Sequence, residues 1–227
     1  MVTSNIRTTF LRLAFDLLYH RLAWTYDIVA AIASAGRWRQ WIRTIYPYIT
    51  GPRILELGYG PGHLLAELTS SHYEAVGIDE SFQMTRLARR NTRSGQDVHK
   101  TKIHWPVLIR GKAQTLPFPA KIFTSIVSTF PSPYIFDPKS ISEIERVLVP
   151  GGRLVIAVGA EITGRKITDR FSAWLSKKTY QTVDWNVTFD KYFEKSSLFV
   201  KVITCDCKTS KVLLIVAEKS NHEMSGI

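Results

Sequence analysis

The sequence predicts an α/β domain: a mostly parallel sheet of seven strands with helices on both faces, an antiparallel C-terminal hairpin and an N-terminal helical extension. Three observations predict it. Short apolar runs alternate with segments of helical period between residues 53 and 158. A glycine-rich turn, Gly58-Tyr59-Gly60-Pro61-Gly62, joins the first of these runs to the first helical segment. The tail breaks the alternation with two consecutive strand-like runs. Strand alternating with helix favours a parallel sheet, because each crossover lays a helix on a face.

The elements follow in order. Ile6, Phe10, Leu13, Leu17 and Trp24 recur at roughly helical spacing, so residues 4–33 read as amphipathic helix. Arg12, Asp16, His20, Arg21 and Asp27 interrupt residues 10–35, which argues against a membrane span. A further helix is expected over Arg37–Tyr48, stopping near Pro47. Arg53–Leu57 is a short buried strand, His63–Thr69 a helix, Ala75–Asp79 a second strand and Phe82–Thr92 a second helix. Weaker strands are expected at Val107–Arg110, Phe123–Ser128 and Arg153–Val158, with a helix at Ile141–Leu148. Leu198–Cys205 and Lys211–Glu218 form the terminal hairpin, with a turn at Lys208–Ser210. Residues 161–194 read as a helical and irregular insertion before it. The division is an extension over 1–50 and one domain over 51–227.

Composition bounds the setting. The chain has 227 residues, 45% hydrophobic and 22% charged, which suits one folded domain rather than long disorder. Its net charge of +11 points to anionic company: nucleic acid, a lipid surface or an acidic substrate. Arg86, Arg89, Arg90, Arg93, Lys100, Lys102, Arg110 and Lys112 lie in a stretch whose acid is Asp97. A solvated face is the plain reading of that stretch. The two cysteines, Cys205 and Cys207, are too few for a disulfide framework or a four-ligand zinc site. On a strand they share one face. No signal peptide is expected, and a cytoplasmic, reducing setting follows.

The glycine turn carries the chemistry. Glycines between a first strand and a helix let backbone approach a ligand closely. Asp79 ends the next strand, where a carboxylate accepts hydrogen bonds from both ribose hydroxyls. The arrangement reads as a nucleoside site. A dinucleotide fingerprint would place its third glycine at position 63, which is His63. Glu56, two residues before the first glycine, suits an ammonium group better than a pyrophosphate. The amino-acid end of S-adenosylmethionine carries such a group.

These residues resemble a known family. Glu56-Leu57-Gly58-Tyr59-Gly60-Pro61-Gly62 followed by Val76-Gly77-Ile78-Asp79 looks like motif I and the acidic strand end of class I S-adenosylmethionine-dependent methyltransferases. Gly111-Lys112-Ala113-Gln114-Thr115-Leu116-Pro117-Phe118 resembles that family's segment beside the adenine, with Lys112 where an acid is usual. Arg146-Val147-Leu148-Val149-Pro150-Gly151-Gly152 resembles its turn before the fifth strand. Ala23-Trp24-Thr25-Tyr26-Asp27 and Ser34–Trp41 are similar to the start of ubiquinone/menaquinone biosynthesis C-methyltransferases. Ser128–Tyr134 does not reproduce the loop those enzymes carry after the fourth strand.

The resemblance implies a Rossmann-like fold with S-adenosylmethionine as cofactor. Candidate cofactor residues are Glu56, Gly58, Tyr59, Gly60, Gly62, Asp79 and Glu80 around the turn. Tyr26 would close over the cofactor, Met84 (with Phe82) would flank the adenine, and Ala113, Gln114 and Ser128 complete the set. No catalytic residue and no metal is assigned, since methyl transfer from a sulfonium needs chiefly alignment. His63, His99 and His104 are read as structural. The expected acceptor is a small or lipophilic molecule, a quinone-like ring being one such, seated above Ser128–Tyr134 and covered by residues 10–35 and 161–194 with Trp24, Trp174 and Trp185. Peripheral contact with anionic membrane is the accompanying expectation. The alternatives are an RNA or DNA methyltransferase and a non-catalytic protein retaining the fold.

Overall fold

The computed structural model describes residues 34, 36–94, 106–164 and 189–221. They form one sheet of seven strands in the order β3-β2-β1-β4-β5-β7-β6. The strands are β1 (Arg53–Leu57), β2 (Glu74–Asp79), β3 (Val107–Arg110), β4 (Phe123–Thr129), β5 (Leu148–Ile162), β6 (Leu198–Cys207) and β7 (Ser210–Lys219). β1 to β5 run parallel, and β7 lies antiparallel between β5 and β6. The described helices are α1 (Trp38–Ile42), α2 (His63–Ser70), α3 (Phe82–Ser94), α4 (Pro138–Val147) and α5 (Asp190–Phe193).

Each face of the sheet has its own core. Leu55, Leu57, Ile126, Leu154 and Ile156 pack with Ile141, Ile144 and Val147 of α4. Their neighbours along the strands, Ile54, Val127, Val155 and Ala157, pack on the other face with Trp41, Ile42, Leu64, Leu68 and Ala88 from α1, α2 and α3. Alternate side chains leave a strand on opposite faces, so strands covered on both faces read as continuous apolar runs. The predicted sheet, with helices on both faces and a C-terminal antiparallel hairpin, is therefore the observed one; the helix expected over residues 4–33 and most of the insertion expected over 161–194 lie outside the described residues.

Several boundaries move for physical reasons. The helix expected over Arg37–Tyr48 is α-helical only to Ile42 and continues as a 3-10 helix, Arg43–Tyr48, with Pro47 inside it. Proline lacks the N–H that an α-turn needs and its ring crowds the preceding turn. α4 starts three residues before the predicted Ile141, because the Asp137 carboxylate accepts from the Lys139 amide and Pro138 takes the first helical position. β5 is longer than Arg153–Val158 at both ends. Leu148 pairs with Phe123, and Glu161 and Ile162 pair with Lys211 and Ser210. Residues 161–162 thus belong to the sheet rather than to the expected insertion. The hairpin strands likewise reach Cys207 and Ser210, which pair with each other and leave Lys208 and Thr209 as the turn.

Part of the N-terminal extension belongs to the core. Trp41, Ile42 and Ile45 are buried against the sheet, and the Trp41 indole donates to the Ser210 hydroxyl at 2.8 Å. Cys205 and Cys207 do share one face and pack with the second core; the Tyr48 hydroxyl lies 3.9 Å from the Cys205 sulfur. Among the described residues, no helix is long and apolar enough to cross a membrane.

Candidate functional site

The site begins where β1 runs out. Gly58, Gly60 and Gly62 all have positive φ. Two of them show why glycine is needed. At Gly62, the left-handed cap of α2, an added Cβ would stand 2.8 Å from the Ala88 Cβ, so the missing side chain lets α2 and α3 touch. At Gly60 an added Cβ would meet nothing within 4 Å. That glycine faces open space, and its φ of 51° is one L side chains rarely take.

Asp79 grips the turn. One carboxylate oxygen accepts from the Gly60 amide at 2.9 Å, and the other accepts from the Ser81 amide at 2.8 Å. Burial raises its pKa, and the two amide donors oppose that shift by stabilising the charged form. Asp79 is not the cap of α3. The Ser81 hydroxyl accepts from the Met84 amide at 3.3 Å and fills that role. The strand end also holds the next loop, since the Gly111 amide donates to the Asp79 carbonyl at 3.0 Å.

Glu56 is the unusual group. Its side chain is 1% exposed, and among the described residues one carboxylate oxygen has no hydrogen-bond partner. Burial drives its pKa well above the ordinary carboxylate value, and the charge on Asp79 adds to the shift. Glu56 forms one wall of a cleft shared with Trp38, Ile42, Gly58, Gly60 and Thr129. Trp38 lies tilted against Phe130 with ring centres 4.6 Å apart and planes at 37°, so an aromatic pair adjoins the cleft at the end of β4, with Trp38 lining it.

The other predicted residues divide. Tyr59 turns its side chain into the core: its hydroxyl meets Thr85 at 2.8 Å and its ring packs on Gly77. Met84 is fully buried, Ala113 is buried and Phe82 is 55% exposed. Glu80 is exposed and pairs with Lys112 at 3.2 Å, so the lysine that replaces the usual acid is matched by an acid nearby. The Gln114 amide reaches Asp137 at 3.4 Å. The Ser128 hydroxyl donates to the Leu57 carbonyl at 2.7 Å and ties β4 to β1. His63 lines the cleft at the start of α2. Tyr26, Trp24, Trp174, Trp185, His99 and His104 lie outside the described residues.

Sequence reasoning missed Trp38 and Ile42 as cleft walls, although the resemblance around Ser34–Trp41 touched Trp38. Thr129 and Tyr134 lie within Ser128–Tyr134, the stretch expected to face the acceptor; Thr129 lines the cleft, and the Tyr134 hydroxyl lies so close over Gly58 that an added Cβ would collide with it. Among the described residues no cluster of His, Cys, Asp and Glu is arranged to hold a metal.

Comparison with known proteins agrees with this geometry. The family described as "Methyltransferase domain" matches residues 55–156. A demethylmenaquinone methyltransferase of Symbiobacterium thermophilum is 30% identical over 178 residues, spanning 75% of this chain and 68% of that protein. The ubiquinone/menaquinone biosynthesis C-methyltransferase UbiE of Wigglesworthia glossinidia brevipalpis is 26% identical over 206 residues, 86% of this chain and 79% of that one. An S-adenosyl-L-methionine-dependent methyltransferase structure from Methanococcus maripaludis superposes with a TM-score of 0.66 at 20% identity, covering 89% and 94% of the two chains. A Haemonchus contortus phosphoethanolamine N-methyltransferase 2 in complex with S-adenosyl-L-methionine gives 0.62 at 15% identity, covering 90% and 59%. The glycine turn, the acid that ends β2, the domain match and the relative 30% identical over two thirds of its length agree: the chain belongs to the class I S-adenosylmethionine-dependent methyltransferases.

Proposed function

We propose that this chain transfers the methyl group of S-adenosylmethionine to a small, lipophilic acceptor with a quinone-like ring, releasing S-adenosylhomocysteine. The observation that carries the cofactor's placement is the unpartnered Glu56 carboxylate oxygen, buried in the cleft beside Gly60. Burial without a partner disfavours the charged form of such a carboxyl, and a cation that meets it stabilises that form. The ammonium of the cofactor is that cation. Asp79 supports the opposite end. Its oxygens each accept one amide and retain lone pairs for ribose hydroxyls. Ala113, Gln114 and Met84 border the adenine in this reading.

Bound S-adenosylmethionine supplies a methyl group made electrophilic by its sulfonium. The chain's own part is to bind, orient and exclude water. The Trp38 ring in the cleft wall, packed against Phe130 after β4, suits a flat apolar acceptor. The names of the relatives, which methylate quinone precursors, support the same class.

Titration calorimetry with S-adenosylmethionine and S-adenosylhomocysteine on wild type, Asp79→Ala and Glu56→Gln tests the cofactor site. Binding by wild type and its loss in Asp79→Ala is the expected result. Folded wild type that binds neither would bring forward the non-catalytic reading. Transfer of labelled methyl to a demethylated menaquinol supports the acceptor class, and transfer to RNA alone would replace it.

A further inference from the structure

α3 opens immediately after the Asp79 turn, and its outward face is chemically uniform. Phe82, Arg86, Arg89 and Arg90 are all exposed, Phe82 to 55%. At 3.6 residues per turn these four fall within an arc of about 100°. The opposite face, Met84, Thr85, Ala88 and Thr92, is buried. The helix contains no acid. Among the described residues, Arg86, Arg89 and Arg90 make no ion pair. The neighbouring cations differ in this respect: Lys112 pairs with Glu80, and the Arg110 guanidinium donates to the Glu80 carbonyl.

Three guanidinium groups held on one face, with no counter-charge among the described residues, form a surface for a polyanion. The net charge of +11 reinforces it over a longer range. One exposed aromatic ring stands at the end of the stripe nearest the cofactor turn. We infer that this face of α3 docks the protein on the headgroups of an anionic phospholipid bilayer, with Phe82 entering the interface. Basic side chains at a membrane surface each contribute attraction to acidic headgroups, and an aromatic ring sits well at the headgroup level. A single-stranded nucleic acid would call for successive aromatic platforms along a basic groove. This face offers one ring. The inference rests on the lipophilic acceptor proposed above, because a substrate dissolved in the bilayer is reached most directly from a membrane-bound enzyme. Docking by α3 brings the Asp79 end of the cleft to the lipid.

The experiment is co-sedimentation with vesicles of phosphatidylcholine alone or mixed with phosphatidylglycerol, at low and high salt. Wild type should bind the mixed vesicles, bind phosphatidylcholine alone weakly, and dissociate as salt rises. Combined Arg86→Glu, Arg89→Glu and Arg90→Glu should weaken binding by on the order of a hundredfold. Phe82→Ala should weaken it several-fold. Circular dichroism melts confirm that these surface variants fold. Two further readouts separate this inference from the acceptor reading. The triple variant should methylate a water-soluble quinol at the wild-type rate. If no quinol is methylated but vesicle binding still needs the arginines, the surface stands and the acceptor class falls. Folded wild type that ignores the mixed vesicles, a triple variant that binds them as wild type does, or binding to single-stranded RNA in place of vesicles would each overturn the inference.

Discussion

Glu56, buried, and Asp79, half-buried, lie on adjacent parallel strands, and the charge on Asp79 disfavours ionisation of Glu56. The two acids are not equivalent. Asp79 accepts from two backbone amides, whereas one Glu56 oxygen accepts from no described group. Asp79 is therefore the partner that keeps its charge, and Glu56 is the one driven to hold a proton.

Cofactor binding should then release protons. A ligand ammonium in the cleft stabilises the ionised form of Glu56, so binding in weakly acidic solution expels the proton held there. Affinity should rise as pH rises through the window above the ordinary carboxylate range and level off as the ligand's own α-amino group begins to titrate. Calorimetry in buffers of different ionisation enthalpy measures the release. Glu56→Gln should abolish it and lower affinity roughly tenfold, the loss of one charge-assisted contact. Equal proton release by Glu56→Gln and wild type would place the linkage elsewhere.

The same group sets a pH dependence of stability in the ligand-free protein. The folded-state pKa of Glu56 is raised above its ordinary 4.5. A carboxyl with a raised folded pKa favours the folded state while protonated, and that contribution is lost as pH rises through the window above 4.5. Wild type should lose stability to urea across that window, and Glu56→Gln should lose less. A steeper decline in the variant would contradict the assignment.

The glycine turn was legible because its backbone leaves little choice. Positive φ at three positions and the contact at Gly62 restrict the residue type, so the requirement is written locally. Asp79 was legible for a similar reason, at a strand end two residues before the serine that caps the next helix. The walls of the cleft were not. Trp38 belongs to the segment before β1, and its place beside Phe130 depends on packing between segments some ninety residues apart. Tyr59 and Ser128 were expected at the cofactor; Tyr59 lines the cleft, and the partners of the two hydroxyls, Thr85 and the Leu57 carbonyl, were not foreseen. A hydroxyl's partner is decided by tertiary neighbours, which local pattern does not specify. β5 was read short because its ends are defined by β7 and β4 rather than by its own composition.

Substitution at the glycines should separate packing from binding. Gly62→Ala places a methyl against Ala88 in a left-handed conformation and should cost about 2–3 kcal/mol of stability. Gly60→Ala meets open space and should cost about 1 kcal/mol from backbone strain alone, while cofactor affinity falls further than stability does. Denaturant melts and calorimetry on both variants give the comparison. Greater destabilisation by Gly60→Ala would mean that Gly60 is a packing residue.

The last prediction concerns two motif segments that meet in space. Glu143 accepts from the Leu116 amide at 2.6 Å and pairs with Arg146, whose guanidinium donates to the Leu116 and Phe118 carbonyls at 3.0 and 2.7 Å. The helix before the glycine-proline turn thus holds the loop that carries Ala113 and Gln114. The Arg146 hydrogen bond holds the Glu143 carboxyl below its usual pKa, so the clamp is complete at neutral pH and weakens as pH falls. Arg146→Ala leaves two carbonyls and a carboxylate without their donor and should cost roughly 2 kcal/mol. If Ala113 and Gln114 border the adenine, the same variant should weaken S-adenosylhomocysteine binding more than binding of methionine alone. Equal weakening of both, measured by calorimetry on folded protein, would detach this loop from the adenine end of the site.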